Sequence, residues 1–153
     1  MAKFITFEGG EGCGKSTQSK MLVDALKNKG LDVLHTREIG GTPLAEKIRD
    51  LIMQEDFLSK SELFLIMAAR CEHLNNVIIP ALKKGIWVIC DRFIDSTAAY
   101  QTINSDLTKG DIYNLHQIMA PSSTQILPDL TFFLDISPKE GMKRALSRGV
   151  VNK

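Results

Sequence analysis

The segment Gly9-Gly10-Glu11-Gly12-Cys13-Gly14-Lys15-Ser16 matches G-x-x-x-x-G-K-[ST], and Thr17 follows directly. Glycines at these positions let successive backbone N–H groups turn inward, and a helix starting at the end of the loop adds partial positive charge. The main chain from Gly9 to Thr17 is therefore suited to cradle the phosphates of ATP. Lys15 supplies a point charge at the β/γ-phosphates, and Ser16 offers a hydroxyl to Mg²⁺. No N-K-x-D occurs, which removes the guanine-reading element of switch GTPases. A second constellation, Asp91-Arg92, ends the apolar run Val88-Ile89-Cys90. Hydrolysis needs an acidic group beside Asp91 to activate water, and the chain has Arg92 there. An acceptor phosphate, with a second pKa near ~6, is already anionic at pH 7 and needs no general base. Asp91 for magnesium and Arg92 for the acceptor phosphate thus point to phosphoryl transfer onto a nucleotide. On the residues alone, Asp91 could also cap a turn.

These residues need a scaffold that brings strand ends together. Lys3–Glu8 is short, β-branched and aromatic, and reads as strand 1. Met21, Leu22, Ala25 and Leu26 recur at helical spacing between Lys15 and Lys29, and Gly30 stands where a helix ends. Strand 2 lies within Asp32–Glu38; Thr42-Pro43 then reads as a cap and first-turn proline for a helix through Met53. Helical patterns follow at Ser59–Asn76, up to Gly85, near Ser96–Tyr100 and at Asp111–Met119, with a last one from Pro138 to about Arg148. Ile86–Cys90 and Leu130–Leu134 are continuous apolar runs, the pattern of strands buried on both faces. Strands alternating with helices give an α/β fold, a parallel sheet with right-handed crossovers, in one domain over 1–153.

With 153 residues, 44% of them apolar, the chain can bury a full core, and its net charge of +1 excludes a general polyanion binder. Phosphate affinity must be local, and no nucleic-acid partner is expected. No run approaches ~18 apolar residues, so no membrane partner is expected either. Cys13, Cys71 and Cys90 are widely spaced without C-x-x-C, and the N-terminus lacks a signal-peptide pattern. A reducing cytoplasm is the expected compartment.

The motifs together resemble those of the thymidylate kinase family. They are Phe7-Glu8-Gly9 through Ser16, Thr36-Arg37-Glu38-Ile39-Gly40-Gly41-Thr42, Ala68-Ala69-Arg70, Asp91-Arg92-Phe93-Ile94-Asp95-Ser96-Thr97-Ala98-Ala99-Tyr100-Gln101 and Pro128-Asp129-Leu130-Thr131. The resemblance implies transfer of the γ-phosphoryl group of ATP to dTMP, giving dTDP. The alternatives are another nucleoside-monophosphate kinase, or a nucleotide-binding module without activity. It also implies roles: Glu11 facing the sugar 3′-hydroxyl, Arg92 and Arg37 on the acceptor phosphate, and Arg70 donating to the thymine O4. Tyr100 would pack beneath the sugar and exclude a 2′-hydroxyl, with Ser96 and Gln101 lining the same pocket. Without the resemblance, Arg70 could be a solvated helix residue and Tyr100 a core aromatic.

Two departures from the family pattern stand out. Ile39 replaces a proline that often follows a cis bond, so a different or looser path is expected for the loop carrying Arg37. Ile66 stands where the family tends to stack a phenylalanine on the base, leaving Phe64 or Phe93 to compensate. Since Glu11, Gly12 and Cys13 leave the loop without an extra cation, the resemblance assigns that charge to a lid. Among Lys143, Arg144, Arg148 and Lys153, Arg148 is the expected lid cation, with Lys153 second. The implied architecture is a three-layer kinase fold with sheet order 2-3-1-4, strand 4 as an apolar edge, and a homodimer. Leu63–Met67 is apolar enough for an extra contact, or for complete burial in the core. A fifth strand, the rest of the lid and an adenine-contacting connection are expected beyond residue 153. The chain as written is expected to bind its ligands but to turn over poorly.

Overall fold

A computed structural model describes residues 1–103, 105–119 and 126–147. Four parallel strands, β1 (Phe4–Gly9), β2 (Val33–Arg37), β3 (Trp87–Asp91) and β4 (Leu130–Leu134), form one sheet in the expected order β2-β3-β1-β4. The helices are α1 (Lys15–Asn28), α2 (Pro43–Gln54), α3 (Ser59–His73), α4 (Ile79–Lys83), α5 (Ile94–Gln101), α6 (Lys109–Gln117) and α7 (Pro138–Ser147). Side chains alternate along a strand, so each strand feeds two cores. Phe4, Leu34, Val88 and Cys90 pack with Leu63, Met67, Ile94 and Ile112 of the α3, α5 and α6 layer. Ile5, Phe7, Val33 and Ile89 face the other way, onto Leu22, Val23 and Leu26 of α1. Three layers result.

Local chemistry accounts for several boundaries. The Thr42 hydroxyl accepts the Ala45 N–H at 3.1 Å, and Pro43 occupies the first helical position of α2. Between α3 and α4 the chain stays helical but widens into a π-turn, Leu74–Ile78, with the Ile79 N–H donating to the Leu74 carbonyl. Pro80 explains the widening. It has no N–H for the carbonyl one turn earlier, and its ring would strike that carbonyl in an unbroken α-helix.

Two sequence expectations need correction. Leu130–Leu134 is not buried on both faces, as its composition suggested: it is the sheet edge that the resemblance implied, and Phe133 is 70% exposed. Phe132 stacks on Phe7 at 5.1 Å and Leu134 packs toward the α1 core, but none of the described helices covers Phe133. An apolar run reports composition, and only the strand order tells which neighbours it meets. Nor is the loop after β2 diverted or loose. The Glu38–Ile39 peptide is cis, Glu38 is buried, and the Gly41 N–H donates to Glu46 Oε1 at 2.9 Å. Within Leu63–Met67, Leu63, Ile66 and Met67 are buried, whereas Phe64 is 62% exposed, so the run does not pack wholly into the core.

Candidate active site

The phosphate loop joins β1 to α1 and curls around the Lys15 ammonium. Lys15 Nζ donates to the carbonyls of Gly10 at 2.7 Å and Gly9 at 3.0 Å and lies 3.6 Å from the Cys13 sulfur. Cys13 is half-buried there, packed against the loop. Gly12 has φ +72°, and a Cβ on it would overlap the Gly141 carbonyl of α7. A side chain is excluded by both space and conformation. Ala145 of α7 lines the same cavity as Lys15, Ser16 and Thr17. Gly10 is exposed at the loop tip. Ser16 Oγ donates to Asp91 Oδ2 at 2.5 Å, so the end of β3 meets the start of α1. Asp91 therefore does more than cap a turn.

Arg92 leaves β3 in the left-handed region, φ +68°, which costs a non-glycine residue about 1–2 kcal/mol. Its surroundings impose that conformation: its N–H donates to the Phe7 carbonyl at 2.9 Å, and the next N–H, of Phe93, donates to Glu8 Oε1 at 2.7 Å. The turn aims the guanidinium at the loop. Nη1 donates to the Gly9 carbonyl at 3.2 Å and to Ser96 Oγ at 3.1 Å, Nη2 pairs with Glu11 at 2.8 Å, and the group lies over the Tyr100 ring at 5.3 Å. Glu8 is buried beneath this turn and also takes the Ser96 hydroxyl. Burial pushes its carboxyl above the usual value, only partly opposed by the bonds from Ser96 and Phe93.

A second cavity of about 270 Å³ adjoins the phosphate loop, and the two share Glu11, Glu38, Arg49 and Arg92. Ile52, Met53, Ile66 and Phe93 give it an apolar wall, while Arg70 and Gln101 bring directional polar groups. Arg70 is only 2% exposed, so the solvated reading fails. Its Nε donates to Glu38 at 2.7 Å, its Nη2 to Thr97 at 2.7 Å, and its guanidinium lies 5.1 Å from the Phe93 ring centroid. Burial pushes the Glu38 carboxyl up, but the Arg70 charge and then His73 outweigh it and hold it below its usual value. Gln101 Nε2 donates to Glu62 at 2.7 Å. Tyr100 lines the cavity, 48% exposed, and is no core aromatic. Phe93 reaches the cavity wall that Ile66 shares, and exposed Phe64 does not.

Arg37 lies on the phosphate-loop side alone, with its Nη2 paired to Glu46 at 2.7 Å. Arg49 of α2, to which the sequence reading gave no role, lines both cavities and donates to the Ile39 carbonyl at 3.2 Å. Glu8, Glu38, Thr97 and His73 went unassigned too. The signal for the last was the i,i+3 spacing of Arg70 and His73, which sets both on one helix face. Arg148 and Lys153, the two candidate lid cations, lie outside the described residues. Among the described residues, no group of three or more His, Cys, Asp or Glu side chains could hold a metal ion, and no helix is long and apolar enough to cross a membrane.

The thymidylate kinase family model matches residues 7–153. The thymidylate kinase of Rickettsia rickettsii (strain Sheila Smith) is 52% identical over 151 residues, 99% of this chain and 73% of its own length. That of Rickettsia typhi is 52% identical over the same shares. The crystal structure of thymidylate kinase from Ehrlichia chaffeensis superposes with a TM-score of 0.82 at 39% identity, covering 95% of this chain and 83% of that one. A phosphate loop opening onto a walled second cavity, a match over nearly all its residues and a shared backbone lead to one assignment: the chain belongs to the thymidylate kinase family.

Proposed function

We propose that this chain transfers the γ-phosphoryl group of ATP to dTMP, giving ADP and dTDP. The observation that carries the reading is the shared wall of the two cavities, where Arg92 and Arg49 lie between the phosphate loop and the pocket of Arg70. An α-phosphate oxygen of dTMP forms the new bond to the γ-phosphorus as the bond to the β-phosphate oxygen breaks. The nucleophile is already an anion, so no base is required, and catalysis rests on positioning and on cations around the transferring group. Lys15 exchanges its loop carbonyls for β/γ-phosphate oxygens. Arg92 and Arg49 hold the acceptor phosphate, with Arg37 on the loop side.

Ser16 and Asp91 supply a hydroxyl and a carboxylate oxygen 2.5 Å apart beside the loop. Two hard oxygen donors with room for phosphate and water suit Mg²⁺, which seldom uses an all-protein cage. When bound, the ion screens the charge on the β- and γ-phosphates. On the acceptor side, Arg70 Nη1 meets, among the described residues, only the weakly accepting Met67 sulfur at 3.8 Å and is the donor for the thymine O4. Cytosine presents an amine there. Gln101, its amide nitrogen committed to Glu62, offers a carbonyl to the thymine N3–H. Tyr100 packs beneath the sugar, Ile66 and Phe93 fill the space around the base, and Ser96 orients Arg92.

A coupled ADP-release assay over dTMP, dUMP, dCMP, dGMP and AMP tests the reading, with dTMP expected to be preferred and dUMP weak. Preference for a purine acceptor would overturn it. Exposed Phe64 on α3 supports a homodimer, against which a monomeric particle in sedimentation would count. Three free cysteines support a cytoplasmic setting.

A further inference from the structure

Behind the acceptor cavity runs a buried polar chain that links three elements. Arg70 and His73 stand one turn apart on α3, and Glu38 lies between them on the loop after β2. One Glu38 oxygen, Oε2, takes Arg70 Nε at 2.7 Å, and the other, Oε1, lies 3.2 Å from His73 Nδ1. His73 is 0% exposed, and its Nε2 lies 2.7 Å from the Thr36 hydroxyl on β2. With Nδ1–H donating to the carboxylate, Nε2 accepts the Thr36 proton, and both ring nitrogens are satisfied. Gly41, at φ +85°, completes the fit, because a Cβ there would overlap the imidazole. His73 itself does not line the cavity.

The terminal torsion of a glutamate is broad, so a carboxylate held at one oxygen can rock, and a guanidinium bonded to it rocks too. Holding the second oxygen fixes the carboxylate plane. It thereby fixes the direction in which Arg70 presents Nη1 to the cavity. We propose that His73 is a positioning residue for base recognition: by clamping Glu38 against Thr36, it orients Arg70 and sharpens the preference for a base carrying a carbonyl over one carrying an amine. This inference rests on the dTMP reading above.

Two substitutions separate the halves of the imidazole. His73→Asn places an amide near the Nδ1 position and keeps the bond to Glu38. His73→Gln reaches the Nε2 position and keeps only Thr36. Calorimetric titration of dTMP and dCMP into the full chain, with thermal unfolding in parallel, needs no turnover. The expected result is that H73Q lowers the dTMP-over-dCMP preference about tenfold, while H73N, which loses only the Thr36 anchor, lowers it about threefold, at similar melting temperatures. Equal effects of the two substitutions, or none, would overturn the proposal. If H73Q does not fold, Thr36→Val removes the far anchor alone and is expected to lower the preference about threefold; an unchanged preference there overturns the proposal equally. Failure of the acceptor reading looks different: the unsubstituted chain itself would show no preference for dTMP, and the inference would fall with it.

Discussion

Arg70 carries two loads that one experiment can separate. Replacing it by methionine keeps much of its volume but leaves the buried Glu38 carboxylate with His73 alone among the described residues. Two outcomes are open to that carboxylate. If it stays ionised, an unpaired buried charge costs about 3–5 kcal/mol. If it takes up a proton, neutralising a carboxyl of ordinary pKa 4.5 at pH 7 costs about 3.4 kcal/mol at 1.36 kcal/mol per pH unit. Both routes converge, so R70M is expected to lose about 3–4 kcal/mol at pH 7, a large share of the ~5–15 kcal/mol that holds a domain together. In the double variant E38Q/R70M the charge is gone from both sides, and most of that loss should return. Binding should not return, because the donor proposed for the base is still absent. The dTMP affinity of the double variant is expected to stay at least ~10-fold below that of the unsubstituted chain.

The pH dependence has a definite sign. In the intact pair the Glu38 carboxyl lies below its ordinary value, so the stability it contributes is present above pH 4.5 and is lost as pH falls through the lower folded value. In R70M the folded value is raised instead. Its penalty is then greatest at neutral pH and shrinks by about 1.4 kcal/mol per pH unit toward pH 5. Urea unfolding of the three proteins between pH 5 and 7 measures all of this. A loss below ~1 kcal/mol at pH 7, or one that does not shrink toward pH 5, would refute the buried-pair reasoning. Recovery of dTMP affinity in the double variant would refute the recognition role of Arg70.

The remaining predictions concern the reaction and the sheet edge. Lys15→Ala should lower turnover about 10²-fold or more in the coupled ADP-release assay, since its charge is used most as the phosphoryl group transfers; a change confined to KM would count against that role. Asp91→Asn should raise the magnesium concentration for half-maximal activity about tenfold, read by titrating the metal at fixed ATP. Phe133→Lys should reduce aggregation in light scattering while leaving the unfolding midpoint within about 2 °C, because Phe133 is exposed on an edge strand. A large drop in that midpoint would mean the side chain packs in the core.

What the sequence disclosed and what it concealed divide along a physical line. The phosphate loop was legible because its glycines, Lys15 and Ser16 act within one short segment, and the Thr42-Pro43 cap for the same reason. The helical patterns to Asn76 and up to Gly85 were legible as two stretches, but not the π-turn that joins them without leaving the helix. β4 was legible as a strand and misjudged in burial, since its length and composition are those of a covered strand while its place is at the edge. The pairs that shape the acceptor cavity were illegible for a stronger reason. Glu38 and Arg70 are 32 positions apart, and Glu8 and Ser96 are 88 apart; nothing local marks them as partners.

One quantity converts the legible parts into the site, and it is the strand order. With β3 between β2 and β1, the ends of three strands emerge side by side, since Phe7 pairs with Asp91 and Arg37 with Asp91 across the sheet. That register sets Ser16 against Asp91, puts the Gly9 carbonyl within reach of Arg92, and lets Glu8 close the Arg92–Phe93 turn. The same order carries Glu38 off the end of β2, next to the face of α3 that bears Arg70 and His73. The phosphate loop, the arginines between the two cavities and the buried Glu38–Arg70–His73 network are thus consequences of one topology, which explains why motifs with no local relation to one another occur together along a single chain. A parallel sheet with its crossovers on both faces leaves these loops at one edge, and that edge is where an α/β protein can bind two ligands end to end.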